Sequence, residues 1–408
     1  MERCIEMVRY CFSRLTHGWI IAGLIALIFA PTMAVAQTAT ATVAAGPTPQ
    51  TATVNPVTNK TYVANLGTNN VTVINGATNT TVTVMTGNGP QAVAVNPVTN
   101  KAYVANLTSG SVTVIDGATD TVTTTVTVGT QPFALAVNPV TNKIYVANNG
   151  SANVTVIDGA TNTATATVTA GAGAQPYSVA INPVTNMIYV ANRVTNNVTV
   201  INGVTNAPAN VAVGTDPRAL AVNPVTNKIY VANTGSANVT MIDGATNTAT
   251  ATVAAGTSPV VVAVNPVTNK IYVTNSVTNN VTVIDGVTNT ATATVATGTG
   301  PVAVSVNPAT NQIYVANNGS PNVTVINGVT NTTTTVAAGT NPRAVGVNPV
   351  TNKIYVANQG SANVTVIDGA ANTAATIIAS PGGFVKPIFI NPVTNRIYVG
   401  NAQGILWT

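Results

Sequence analysis

Beyond residue 36 the chain carries seven aspartates and eleven lysines and arginines, but no cysteine, histidine or glutamate. A thiolate nucleophile, a disulfide framework and a Cys/His zinc site therefore have no side chains to form them. The carboxylates that remain recur at a fixed offset from lysine. Lys143 and Asp158 share the spacing of Lys101 and Asp116, Lys228 and Asp243, Lys270 and Asp285, and Lys353 and Asp368. Where the lysine is replaced the aspartate is replaced too: Met187 stands with Asn202, and Gln312 with Asn327. This pattern predicts cross-strand ion pairs, a structural role. Lys60 stands opposite Asn75, and Asp120 and Asp216 have no lysine at that offset. Placed in different kinds of loop, those two carboxylates do not form an acid–base pair. The inventory predicts no catalytic residues, no metal site and no cofactor.

The elements that carry these residues follow from a repeat. Asn-Pro-Val-Thr-Asn, with Ala at 309 in one copy, is followed by Tyr-Val-x-Asn nine times, at Tyr62, Tyr103, Tyr145, Tyr189, Tyr230, Tyr272, Tyr314, Tyr355 and Tyr398. The intervals run from 41 to 44 residues, the length of one four-stranded propeller blade. The apolar alternation has period two, which excludes helical repeats of similar length. In the third unit strand a spans 133–137, b 143–148, c 153–158 and d 163–168, with Pro, Asn and Gly confined to the turns. Residues 38–46 read as a lone strand d. The C-terminus supplies a at 387–390, b at 396–401 and a shortened c at 404–408. The N-terminal strand thus closes the last blade and removes the free sheet edges. The expectation is an all-β propeller of about nine four-stranded blades over residues 37–408, with seven or eight blades as the alternative.

The recurring Tyr-Val-Ala-Asn or Tyr-Val-Thr-Asn, with Val-Ile-Asp-Gly, resembles the YVTN family of β-propeller repeat proteins over essentially all of 37–408. The resemblance implies an exported, surface-layer-type protein, commonly of seven blades, from a family without shared catalytic residues. Residues 1–36 agree with export. Arg3, Arg9 and Arg14 precede an apolar run from Trp19 to Ala30, then Pro31 and Ala34-Val35-Ala36, the layout of a cleavable signal peptide. The run is too short for a typical spanning helix, and an uncleaved anchor is the alternative. The expected location is the periplasm, the cell surface or the medium.

Candidate binding residues lie where the units differ. The a–b and c–d turns are nearly invariant, whereas the residue entering strand a and the first b–c loop residue vary from unit to unit. Loops on a rigid repeat scaffold are the usual seat of binding. Phe133, Tyr177, Arg193, Arg218 and Arg343 are the aromatic and arginine residues at those places, the types enriched at interfaces. Neutral drift of a tolerant face is the competing account of the variation. The sequence therefore predicts a non-catalytic scaffold that binds a protein or glycan at the cell envelope, or alternatively a self-associating surface-layer component, with a cofactor-dependent propeller enzyme as the third and least favoured reading. A formal charge of +4 over 372 residues is too dilute for a nucleic-acid partner.

Overall fold

The structure, a computed structural model, describes residues 42–379, 385–401 and 404–407. The expected signal peptide lies outside the described residues. Among them no helix is long and apolar enough to cross a membrane.

The described residues form nine four-stranded antiparallel sheets, each joining strands consecutive in sequence except the last. Blade three shows the pattern: a is Pro132–Asn138, b Lys143–Asn148, c Asn153–Asp158 and d Thr163–Thr169. The ninth blade is composite. Strand a (Val385–Asn391), b (Arg396–Asn401) and c (Gly404–Trp407) are completed by Thr42–Ala44 from the start of the propeller. The count is nine, against the alternatives of seven or eight. Strand a of the first blade, Pro49–Asn55, packs against strand a of the second, Pro90–Asn96, and of the ninth. The ring is therefore closed, with strands a innermost.

Between blades lies the apolar core. Tyr145, Val154 and Val156 of blade three pack with Ile188 and Val190 of blade four, and the corresponding tyrosine of every blade is fully buried. Each such tyrosine is the largest side chain in an inter-blade layer made mostly of Val, Ile and Ala. Burial pushes the Tyr145 hydroxyl up to about 12. Burial, with the Asp158 charge added, does the same to Tyr103.

The a–b and c–d turns share one face of the ring, here the turn face. The last residue of Asn-Pro-Val-Thr-Asn takes a left-handed backbone, φ 54° at Asn142, which asparagine tolerates better than most residues. A Cβ at Gly159 would run into the Asn142 side chain and carbonyl, so the glycine opening each c–d turn is required by close approach. Asparagines then link the blades. Asn138 Nδ2 donates to Asn186 Oδ1 of the next blade at 2.8 Å, while its own Oδ1 accepts from Val140 N. The same link runs from Asn55 to Asn100, and Asn391 donates to Asn59 across the closure.

The lysine–aspartate register is as the sequence predicts, Lys143 opposite Asp158. The predicted ion pair is nevertheless made in only one of the five, between Lys353 and Asp368 at 2.8 Å. In the others the lysine reaches forward: Lys143 Nζ donates to Gly203 O of blade four, and Lys101 Nζ to Gly159 O of blade three. Asp158 is committed to its own turn, where its Oδ1 accepts from Ala160 N and Thr161 N. Lys60, the base without an acid opposite, meets Asp120 of the second blade at 2.8 Å. Arg396 makes the equivalent forward contact to Asn79 across the closure.

Valine in the repeated turn stays outside this network. Eight of the nine a–b turns carry one, from Val57 to Val393, each 73–76% exposed.

Candidate functional site

The b–c and d–a loops form the opposite, loop face. Every strand a enters it through a bulge. Pro132 pairs with Asn148 and Ala134 with Ala147, so Phe133 is left without a partner across the ladder. Tyr177 and Arg218 occupy the same bulge in blades four and five. Arg343 occupies it in blade eight. A bulge releases one side chain from the alternation of the pleat and re-aims it. The variable residues singled out in the sequence therefore ring the mouth of the channel, because strands a are innermost.

Four of the five predicted residues are brought together. The Phe133 and Tyr177 rings stack with centroids 4.7 Å apart, and Arg193 Cζ lies 5.0 Å from the Tyr177 centroid. Arg193 comes from the b–c loop of blade four. Its Nε donates to Asp216 Oδ1 at 2.9 Å. Arg218 binds the other oxygen, Nε at 2.9 Å and Nη2 at 2.8 Å from Asp216 Oδ2. One continuous line of aromatic, guanidinium and carboxylate groups thus crosses blades three to five. Arg343 lies three blades away from Arg218, and among the described residues it has no ion pair.

Asp216 is the member that sequence reasoning missed. It holds a left-handed backbone (φ 50°) in the d–a loop, and its N–H donates to Asn196 Oδ1 at 3.0 Å. The corresponding residues in neighbouring units are Gln131, Gln175, Ser258 and Asn341. Aligning that loop column would have shown a lone acid between two lone arginines. Partial burial pushes its carboxyl up, but hydrogen bonds from Arg218 and Arg193 outweigh this and hold it below the usual carboxylate range. Asp216 is therefore ionised at neutral pH. The group is about one-third exposed, with Arg218 at 38% and Asp216 at 27%, so solvent reaches it.

Equivalent inter-blade clefts elsewhere are emptier. Leu107 to Gly110 with Thr130 and Gln131 line one of about 320 Å³ between blades two and three. Asn318 to Pro321 with Thr340 and Asn341 line another of about 180 Å³ between blades seven and eight. At the junction of blades four and five, Arg193 and Asp216 bridge the same gap. Chemically, the bridge presents two guanidiniums whose remaining N–H donors suit an anion or a developing oxyanion. Among the described residues no group of three or more His, Cys, Asp or Glu is gathered for a metal.

The sequence profile of the lactonase, seven-bladed β-propeller family matches residues 33–249, more than half of the chain. The chain belongs to that family. In this lactonase-family propeller the matched stretch runs from before the closing strand to strand d of blade five, and it contains Phe133, Tyr177, Arg193, Asp216 and Arg218. Nine blades depart from the seven in the family's description. No curated protein matches by sequence. Among solved structures, the chain is similar to the dihydro-heme d1 dehydrogenase NirN in complex with DHE, with 14% identity and a TM-score of 0.63, covering 84% of this chain and 79% of that one. It is also similar to the Kuenenia stuttgartiensis hydrazine synthase, with 22% identity and a TM-score of 0.50, covering 68% and 95%. At these identities the likeness is one of fold.

Membership corrects the functional expectation. A non-catalytic scaffold for a protein or glycan, or a self-associating surface-layer component, is not the kind of protein this family is named for, and the expectation of no enzymatic activity falls with it. The physical error lay in equating catalysis with His, Cys or a carboxylate pair. Asp120 and Asp216 looked unpaired and idle, yet each is held by cations, and the Asp216 group orients two guanidiniums without any of those residues.

Proposed function

We propose that the chain hydrolyses a cyclic ester on its loop face, with Arg193, Asp216 and Arg218 as the working group and Phe133 and Tyr177 as the apolar wall. The observation that supports this reading is the Arg193–Asp216–Arg218 cluster, lying inside the segment matched by the lactonase-family profile. In lactone hydrolysis, water adds to the carbonyl carbon and negative charge gathers on the former carbonyl oxygen. The ring C–O bond then breaks, and the proton shed by the added water ends on the released alkoxide, giving a hydroxy acid. Guanidinium donors left over from the Asp216 contacts stabilise that charge, and they are oriented before the substrate arrives. Asp216 keeps lone pairs free after both ion pairs, and one of them orients the attacking water. The ring of Tyr177, already against Arg193, offers its face to the carbon skeleton of the lactone.

Acid release from five- and six-membered lactones, including sugar lactones, is the test, followed with a pH indicator. Turnover above the spontaneous rate is expected, reduced about 10²-fold in Arg193→Gln and in Arg218→Gln. Wild-type protein that leaves the whole panel at the spontaneous rate would refute the proposal. We place the active protein outside the cytoplasm, at the cell surface or in the periplasm, on the leader read from residues 1–36 and the YVTN resemblance. N-terminal sequencing of the exported protein should begin near Gln37.

A further inference from the structure

We propose that the turn face is a dimer interface, on which a second copy of this chain docks face to face through the valine ring. The turn does not need its valines. In each Asn-Pro-Val-Thr-Asn the fold uses the Val N–H, which donates to the preceding asparagine, as Val140 N does to Asn138 Oδ1 at 3.0 Å. The valine side chain touches none of this, and Ala309 serves the same turn in blade seven with the same bond to Asn307. Eight β-branched apolar side chains, each about three-quarters exposed, nevertheless stand in one circle around the channel. Three c–d turns of the same face add Val204, Val287 and Val329, exposed to the same degree.

Area and charge select the occupant. At roughly 100 Å² of accessible surface per valine, the circle offers about 800 Å². Summed around the circle, that is one partner's share of a standard stable interface. Around the circle lie six aspartates and seven lysines and arginines, so this face is nearly neutral. Its lysines are already held, most by the next blade and Lys353 by Asp368 of its own, and Asp158 and its counterparts by their own turns. The result is an apolar circle around the channel mouth within a balanced polar rim. Among the described side chains, the loop face instead carries Arg193, Arg218 and Arg343 against Asp216 alone, an excess of two positive charges. Two loop faces therefore repel each other, whereas two turn faces do not. A twofold axis lying in the plane of the ring sets valine against valine, so one surface serves both partners. Such a pair is closed: it adds no third copy, and it leaves both loop faces open to substrate.

Light scattering of the purified protein over a concentration series tests this, beside a variant with Val57, Val140, Val225 and Val350 each replaced by Asp. Twice the chain mass is expected for the wild type, changing little with added salt, and one chain mass for the variant at matching circular dichroism. A second variant with Thr at the same four positions, which keeps the shape and adds only hydroxyls, should raise the dimer dissociation constant at least tenfold. A wild type that stays monomeric overturns the proposal, as do assemblies that grow beyond two copies. So does a dimer that survives both sets of substitutions, or one abolished by Arg193→Gln on the other face. A monomeric wild type that binds neutral phospholipid vesicles also overturns it, and assigns the ring to a membrane.

Discussion

The two faces of the ring are made from the same repeat and have opposite characters. On the turn face, asparagine, glycine and lysine are reused at junction after junction, and the same inter-blade and turn hydrogen bonds recur from blade to blade. On the loop face, bulge and loop residues differ from unit to unit, and among the described residues charged side chains meet only at the junction of blades four and five. The difference separates two tasks. Repeated inter-blade bonds recur around one face, and the charged cluster is confined to one arc of the other.

The comparison predicts that substitutions near the turn face cost stability and those on the loop arc cost activity. Tyr145→Ala should have the largest effect, about 3–5 kcal/mol in urea unfolding, because it leaves a void between two blades. Phe133→Ala, at a half-buried bulge, should cost about 1 kcal/mol or less; equal losses at the two sites would abolish the contrast. Arg193→Gln should lower lactone turnover about 10²-fold while unfolding within about 0.5 kcal/mol of wild type. Asn138→Ala should show the converse, with activity per folded molecule unchanged and about 1–3 kcal/mol lost, since Val140 N and Asn186 lose a buried partner. Tyr145→Phe should lie within about 0.5 kcal/mol of wild type, because its hydroxyl has no protein partner to lose.

Titration sharpens the same contrast from both ends of the pH scale. The buried tyrosines keep their protons to about 12, where an unfolded chain releases them near 10. Their contribution is therefore complete below pH 10 and lost as the pH rises towards 12. The urea midpoint at pH 11 should fall below that at pH 9. Asp216 has the opposite sign. Its stabilisation is present above about pH 4, where the unfolded carboxylate is ionised, and is lost as the pH falls through its lowered folded value. Asp216→Asn should flatten part of the acid limb and leave the alkaline limb unchanged.

Much of the fold was legible because repetition exposes register. Once Asn148 is set against Asn153, Lys143 must face Asp158, and the structure shows that pairing. Where Lys143 sends its ammonium was not legible, since this depends on how closely the next blade packs and on the turn that had already claimed Asp158. The same blindness left Lys60 and Asp120 as two separate oddities, although each is the other's partner across a blade junction. On the loop face, the variable columns pointed to Phe133, Tyr177, Arg193 and Arg218, and these residues do meet. Arg343 does not join them, because a column of equivalent positions runs round the whole ring. Asp216 was passed over because it sits in the loop before the bulge, not in either column compared.

The asparagine link carries no address. Asn138 to Asn186 is chemically the same handshake as Asn55 to Asn100, or Asn391 to Asn59 across the closure. A blade emerging during folding therefore has no means, in that link, of telling its rightful neighbour from any other blade, including one on another chain. Over generations the same anonymity allows a unit to be copied in or dropped out without inventing a new joint. A nine-bladed member of a family described by seven is what such a joint permits, and tangled multi-chain rings at high concentration are the hazard that accompanies it.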